Sequence, residues 1–550
     1  MKRILHTAAS GLAAFVMCAT FVASVGSSRS VYGAAAASMF DKARERAQRA
    51  LREGEFEAAE TIYRELIEKN PRDMTARLGL SLSLLKQRKN QQAFDAAARV
   101  VAIEPMSPRA HSLLGSALLA AGDFRLSVEE FRTALSFKSD DAMAIAGMAM
   151  VDFYDNRLAQ SLAGLRRAAY LDADEPDYIY NLAQVAARSE RYGEAADAYE
   201  RFLRIAPRTD ADRRARIRGL IDFLRYLGTQ RALLRPAGAD RAVVPFQLVN
   251  NRPVVRVRVN GSKETLRFVI DTGAGMCVIS NDAAKRLGLR PVARGGTARA
   301  VGGGGKFEIV YGFIQSLQMG EARVDNVPIY IREFFNSGEQ LDGYIGLSVV
   351  AKYLFTIDYG VGEMTLLRDD ERPPLDAATA TATAPTTTPT ATLTNAIELP
   401  IRTTSSGFWS SEIHVDGLSK PVNFIVDTGA TITVVSEDLS EREQMTRFEQ
   451  AARLRVYGAA GLTENVPMLL LPRVRVGAAM RPNVSAAVLD MDSINETAGF
   501  EQAGILGGNV LRHYRVTFDL LRAVVRLEPL VKEMPSEDNK NIAPVVANQP

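Results

Sequence analysis

Two Asp-Thr-Gly triplets contain the residues of this chain that are best suited to chemistry. They lie in the segments FVIDTGA, residues 268–274, and FIVDTGA, residues 424–430. In each segment an apolar run predicts a buried strand, which would deliver an aspartate (Asp271 or Asp427) to a site that excludes much water. The glycine after the threonine permits a sharp turn and a close approach of the backbone. Two such carboxylates side by side could share one proton and act as general acid and general base.

The surroundings of the two triplets are duplicated as well. The sequence GYIG at 343–346 matches GILG at 504–507, and the offset of 161 residues also relates TID at 356–358 to TFD at 517–519. A single Asp-Thr-Gly is a common turn sequence. Two triplets with equal surroundings predict two copies of one β unit instead. In each copy the later hydrophobic-glycine pair would pass beneath the aspartate loop and brace it.

At this point the sequence resembles the retropepsin-like aspartyl proteases, particularly the bacterial forms with Asp-Thr-Gly-Ala. The resemblance covers residues 244–368 and 395–530, and it implies an all-β bilobal protease with both halves in one chain, as in pepsin-like enzymes. It implies that Asp271 and Asp427 are the catalytic dyad, which activates a water against a peptide bond without a metal or another cofactor. The supporting residues are then Thr272, Gly273, Thr428 and Gly429, with the two threonines bracing one half against the other.

The same resemblance implies a hairpin flap over the substrate in each half. Glycine-rich segments suit the tips of such flaps because their backbone can move and contact a peptide. The candidate residues are Gly303 and Gly304 in the first half and Tyr457 and Gly458 in the second. The alternative for each segment is a flexible turn without contact to a substrate.

The residue after each glycine predicts the pH range of the chemistry. Pepsin-like enzymes usually have Ser or Thr there, whereas this chain has Ala274 and Ala430. Losing a hydrogen bond to the ionised aspartate raises its pKa. We therefore expect an optimum that is mildly acidic to neutral, and a sharp optimum near pH 2 would contradict this.

A second repeat, with a period of 34 residues, occupies residues 40–209 and predicts helical hairpins. Pro71, Pro105 and Pro207 keep this period, and the small residues Ala59, Ala93 and Ala195 keep another register. The pattern resembles the tetratricopeptide repeat in five units, although Ser139 and Ala173 replace the expected proline. Residues 210–234 are then a capping helix. The resemblance implies a groove for a protein partner or substrate, and the alternative is a spacer or dimerisation element.

The remaining segments predict export and flexible connections. Residues 1–37 have the layout of a secretory signal, with a basic start, an apolar run and small residues, and an uncleaved anchor is the alternative. We therefore expect a periplasmic or secreted protein, which contacts a membrane only through that anchor. Residues 369–394 are an Ala/Thr/Pro linker, and 531–550 are a disordered tail.

The whole sequence predicts a multidomain protein: an α-helical repeat solenoid followed by a bilobal β protease. The net charge of +3 is too small to indicate a nucleic-acid partner, and four scattered histidines show no spacing for metal ligands. The expected function is an aspartic endopeptidase whose repeats recruit a partner or substrate. The alternative is a catalytically silent peptide-binding or scaffold protein with the same fold.

Overall fold

The computed structural model describes residues 40–299, 301, 306–334, 340–368, 396–458 and 461–530. The predicted signal or anchor, the linker, the tail, Gly303 and Gly304 lie outside these residues. Among the helices described here, none combines the length and the apolar character that crossing a membrane would require.

The N-terminal part of the described chain is helical. Its helices are α1, residues 40–53; α2, Phe56–Lys69; α3, Met74–Lys86; α4, Asn90–Val101; α5, Pro108–Ala120; α6, Phe124–Phe137; α7, Ala142–Tyr154; α8, Leu158–Leu171; α9, Pro176–Arg188; α10, Tyr192–Ile205; and α11, Ala211–Gly228.

Aspartate caps and buried alanines explain why these segments form packed helices. The carboxylates of Asp73 and Asp210 accept hydrogen bonds from backbone N–H groups in the first turns of α3 and α11, which satisfies donors that have no partner within the helix. The alanines in register with the repeat, Ala59, Ala93 and Ala195, are fully buried. Small side chains at these points let neighbouring helices approach closely.

The C-terminal part consists of strands with short helices between them. The first half has β1, Arg235–Gly238; β2, Arg241–Val249; β3, Arg252–Val259; β4, Leu266–Ile270; β5, Cys277–Ser280; α12, Asn281–Arg286; β6, Ala293–Arg299; β7, Lys306–Met319; β8, Ala322–Arg332; β9, Gly343–Ile345; α13, Leu347–Val350; β10, Tyr353–Asp358; and β11, Glu363–Arg368.

The second half repeats much of this order. It has β12, Ile397–Pro400; β13, Arg402–Thr403; β14, Trp409–Val415; β15, Val422–Val426; β16, Thr433–Ser436; α14, Glu437–Arg442; a 3-10 turn, Met445–Phe448; β17, Glu449–Gly458; β18, Gly461–Val476; β19, Ala479–Leu489; α15, Asp492–Ala498; β20, Gly504–Leu506; α16, Gly508–Leu511; β21, Tyr514–Asp519; and β22, Val524–Pro529.

Both halves use the same sheet topology around the aspartates. In the first half β4 runs parallel to β9, which is antiparallel to β5, and β5 is parallel to β8. In the second half β15, β20, β16 and β19 repeat these relations. The duplicated sequence therefore folds into duplicated strand order, and each aspartate follows a strand at the centre of its own half.

Three strands of each half lie side by side in one shared layer, which we call the interdomain layer. Its order is β12, β22, β21, β10, β11 and β2. At its centre Thr356 pairs with Thr517, its counterpart in the duplication, and their hydroxyl groups lie 2.8 Å apart. The rings of Phe355 and Phe518 stack beside them with centroids 4.5 Å apart. The two halves are thus joined within one chain.

The described chain forms two compact units. The first contains the described residues up to Leu118 together with Arg125–Ala144 and Pro207–Thr209. The second contains Leu119–Phe124, Ile145–Ala206 and the described residues from Asp210 onwards. The helices from α8 to α11 therefore belong largely to the unit that contains both β halves. The predicted fold class, a helical repeat solenoid followed by a bilobal β region, is confirmed.

Candidate active site

The two Asp-Thr-Gly loops lie at the ends of central strands. The backbone N–H of Asp271 donates to the carbonyl of Ile345, and that of Asp427 donates to the carbonyl of Leu506, each at 3.0 Å. These carbonyls belong to β9 and β20, the strands of the hydrophobic-glycine pairs. The strands therefore brace the aspartate loops from below, as the sequence predicts.

The two predicted catalytic carboxylates meet at the junction of the halves. The N–H of Gly273 donates to Asp271 Oδ1 at 2.9 Å and to Asp427 Oδ1 at 3.1 Å, and that of Gly429 donates to Asp427 Oδ1 at 2.7 Å. Both carboxyl groups thus accept the same N–H, that of Gly273. A Cβ atom on Gly273 would lie 2.3 Å from Asp427 Oδ2, and one on Gly429 would lie 2.5 Å from Asp271 Cγ. Only glycine fits at these two positions.

The two threonines of the triplets connect the halves reciprocally. Thr272 Oγ1 donates to the carbonyl of Val426, and Thr428 Oγ1 donates to the carbonyl of Ile270, both at 2.7 Å. Each hydroxyl oxygen also accepts from the other threonine's backbone N–H, at 3.0 and 3.2 Å. Both threonines are fully buried. Because every polar group in this network has a partner, the two loops are held in one relative position.

Burial and mutual repulsion make the dyad hard to ionise. Burial raises the pKa of Asp271 well above its usual value, and the neighbouring Asp427 carboxylate raises it further. Burial also raises the pKa of Asp427, although hydrogen bonds from Gly429 and Asp271 oppose this increase. Asp427 accepts from two glycine N–H groups and therefore carries the negative charge more readily than Asp271.

The thiol of Cys277 has a structural place next to the first loop. It is almost fully buried, and its Sγ accepts a hydrogen bond from the N–H of Gly346 at 3.3 Å. Burial raises the pKa of this thiol to about 12. A thiol in this state is protonated at neutral pH and is a poor nucleophile.

A long cleft with a volume of about 1790 Å³ opens above the dyad, between the two halves. The flap candidates Tyr457 and Gly458 line it, at the end of the β17–β18 hairpin, where they pair with Leu462 and Gly461. In the first half Val301 also lines the cleft. The roles assigned to these residues by resemblance stay predictions.

Two arginines line this cleft at positions that the sequence repeats and motifs do not predict. Arg332, at the end of β8, is close enough to Asp271 for its charge to lower the pKa of that carboxyl. Arg188, at the end of α9, donates to the carbonyls of Thr404 and Ser405 at 2.6 and 3.1 Å. Both arginines are far apart in sequence from the groups that they contact. Neither repeat nor motif could indicate these contacts, because they exist only in the folded unit.

The described residues contain no cluster of His, Cys, Asp and Glu that could hold a metal ion. The dyad and its supporting residues Thr272, Gly273, Thr428 and Gly429 are all brought together. Their catalytic roles remain for experiment to test.

Comparisons with known proteins agree with the two repeats. Residues 255–349 and 411–510 match the family model described as aspartyl protease. Models described as tetratricopeptide repeat match residues 44–108, 82–142 and 176–209. A search of the curated proteins finds no match.

Solved structures with some similarity include a tetratricopeptide repeat protein of Thermus thermophilus. It is 21% identical, with a TM-score of 0.29, over 33% of this chain and 98% of that one. Another is MamA, residues 41 to the end, from Desulfovibrio magneticus, 20% identical over 30% of this chain and 94% of that one, with a TM-score of 0.23.

Both resemblances expected from the sequence are thereby confirmed: two segments of the chain, 255–349 and 411–510, match the aspartyl protease family, and they are preceded by matches to tetratricopeptide repeats between residues 44 and 209.

Proposed function

We propose that this chain is an aspartic endopeptidase that hydrolyses peptide bonds with the Asp271/Asp427 dyad. The main support is the pair of carboxyl groups, which lie side by side and both accept the N–H of Gly273. Such a pair holds one proton between two oxygens, so that it contains a base and an acid together. No covalent intermediate with the protein is needed.

In this proposal the dyad moves two protons around one water molecule. Asp427, whose ionised form accepts two backbone N–H groups, takes a proton from the water. Protonated Asp271 donates its proton to the oxygen of the scissile carbonyl, and the water oxygen bonds to the carbonyl carbon. When this tetrahedral intermediate breaks down, Asp427 passes its proton to the leaving nitrogen, the C–N bond breaks, and a hydroxyl of the intermediate returns a proton to Asp271. The dyad again holds a single proton at the end.

The helical repeats would supply recruitment. Tetratricopeptide repeats commonly bind other proteins through a groove, and we propose that a protein partner or a substrate segment occupies the groove here. We further propose export across the cytoplasmic membrane, on the basis of the basic and apolar N-terminal sequence. Fractionation of cells that produce the full chain, with a cytoplasmic marker protein, tests the location directly.

Single substitutions in the dyad test the proposed activity. The wild type, Asp271→Asn and Asp427→Asn are compared on a broad peptide library between pH 3 and 8, after circular dichroism has established equal folding. We expect each variant to lose at least about 10³-fold in kcat/KM, because either change removes the shared proton or its acceptor. A wild type that cleaves nothing would favour the silent binding protein instead. Activity that survives in both variants would exclude the dyad.

A further inference from the structure

The cleft above the dyad is strongly basic. Among the described residues, eight arginine or lysine side chains line it, against three glutamates when the dyad itself is left out. One glutamate, Glu190, pairs with Lys352 at 3.2 Å, and another, Glu308, pairs with Arg294 at 2.6 Å. The positive charge is thus in excess where a peptide would lie, which favours a substrate with acidic side chains.

Arg332 is the cation of this cleft that acts on the dyad through its charge. Its guanidinium lies 5.5 Å from the ring centroid of Phe307 and 5.8 Å from that of Phe334. Its Nε is buried, and within the described chain this atom has no hydrogen-bond partner and the side chain forms no ion pair. Burial lowers the pKa of the guanidinium, which reflects the cost of keeping a charge there without a partner. An incoming carboxylate could supply that partner in a paired, bidentate geometry.

The duplication allows Arg332 to be compared with its counterpart in the other half. In the first half Ser280 on β5 is in register with Arg332 on β8, and in the second Ser436 on β16 is in register with Leu489 on β19. Both serines cap the helix that follows, so they are equivalent points. Leu489 is 4% exposed and packs in an apolar cluster with Val434. One side of the dyad is therefore charged, and the equivalent position on the other side is apolar.

We propose that Arg332 is a specificity-determining residue, which selects a substrate with an aspartate or glutamate side chain next to the scissile bond on the side of the first half. This inference rests on the proposed protease function. The Arg332 guanidinium pairs with the substrate carboxylate, and the rings of Phe307 and Phe334 lie next to the guanidinium. The equivalent position on the second side, at Leu489, provides no such charge.

Matched peptides test the inference. Quenched fluorescent substrates carry Glu or the isosteric Gln at each of the four positions around the scissile bond. For the wild type we expect Glu to be favoured over Gln at one position by roughly tenfold or more in kcat/KM, since hydrogen bonds to charged groups are worth that much. In Arg332→Met this ratio falls to about one, and in Arg332→Glu the preference turns to Lys.

The control variant is Arg323→Met, on the same strand. Arg323 pairs with Asp325 and does not line the cleft, so the preference for Glu should stay as in the wild type. A wild type that cleaves the Gln and Glu peptides equally at all positions would overturn the inference while the protease function stands. An unchanged ratio in Arg332→Met would overturn it too, because Arg332 would then act only on Asp271.

Binding provides a readout that does not depend on cleavage. Labelled Glu and Gln peptides are titrated into Asp427→Asn, with and without Arg332→Met, and followed by fluorescence anisotropy. We expect tighter binding of the Glu peptide only when Arg332 is present. Equal affinities in both proteins would refute the selection, and failure of the wild type to cleave any peptide would refute the proposed catalysis alone.

Discussion

At the scale of single residues, the site depends on which atoms stabilise the negative charge of the dyad. Ala274 and Ala430 have no hydroxyl groups, and both line the cleft beside the carboxylates. The N–H of Ala430 already lowers the pKa of Asp427, but a side-chain donor is missing from the same residue. The raised pKa values of both aspartates therefore have a local cause in addition to burial.

Ala430→Ser should move activity to lower pH. The new hydroxyl can donate to ionised Asp427, which stabilises the charged form and lowers its pKa. We expect the acidic limb of the kcat/KM profile to shift down by about one pH unit, the equivalent of one charged hydrogen bond. The profile of Ala430→Gly, which adds no donor, is the control. An unchanged profile in the serine variant would show that the alanines do not set the pH range.

Asp271→Asn should stabilise the protein at neutral pH. In the unfolded chain Asp271 ionises with a pKa near 4, whereas in the folded state its pKa is raised. The folded wild type therefore loses stability as the pH rises above about 4 and through the raised pKa. The asparagine variant lacks the loss that is due to Asp271. The difference between its Tm and that of the wild type should therefore be near zero below pH 4 and grow towards pH 7. Asp174→Asn, at an exposed position, is the control and should show no such trend.

At the scale of elements, α11 supports the strand pair β6 and β7 from outside. Phe223 of α11 stacks on Tyr311 with centroids 4.4 Å apart, and Lys306 at the start of β7 pairs with Asp212 at 2.6 Å. At the closest approach, a Cβ atom on Gly219 would lie 2.1 Å from the carbonyl oxygen of Arg294. The helix predicted as a cap of the repeats thus also fixes the base of a strand pair beside the cleft.

Gly219→Ala should separate α11 from β6. The added methyl group would meet backbone atoms, which cannot move aside as a side chain can, and overpacking of this kind costs about 1–3 kcal/mol. Thermal unfolding should show a lower Tm, and peptide cleavage should weaken because the strand pair beside the cleft loses its support. Gly193→Ala, where a Cβ atom meets nothing within 4 Å, is the matched control and should not lose stability. Equal behaviour of the two variants would contradict the proposed packing.

At the scale of the whole molecule, the interdomain layer decides how the dyad is assembled. Its strands from the two halves meet at β21 and β10, and Arg515 of β21 pairs with Asp358 of β10 across this junction, Nε to Oδ2, at 2.7 Å. Exchange of one half between two chains would require this layer and the reciprocal threonine bonds to open together. The two halves of a chain should therefore stay paired with each other.

A mixture of Asp271→Asn and Asp427→Asn should remain inactive. Each chain supplies one intact half, so activity would return only if halves were exchanged between chains. The mixture is assayed over hours at neutral pH against each variant alone, and a mixture of wild type with either variant shows that mixing itself does not inhibit. Recovery of activity without unfolding would mean that the layer opens readily in solution.

Local sequence predicts the elements of this fold and the residues of the dyad, because repeats and short motifs have physical requirements that are local. The period of 34 residues, the two aspartate triplets and their glycines predict the helical repeats, the duplicated β unit and the paired carboxylates. The threonine bracing also follows from the resemblance. The bracing hydrogen bonds join atoms in or next to the two motifs, so the motifs are sufficient to predict them.

The surroundings of the site were decided only by tertiary structure. Neither the period nor the motifs indicate that α11 packs on β6, that Arg188 reaches the loop at Thr404, or that Arg332 and Leu489 lie at equivalent places beside Asp271 and Asp427. These contacts join residues far apart in the chain, and each depends on packing against several elements at once. The sequence by itself determined which carboxylates meet, and the tertiary structure decided the charge and shape of the cleft above them, because only folding brings distant side chains together around one site.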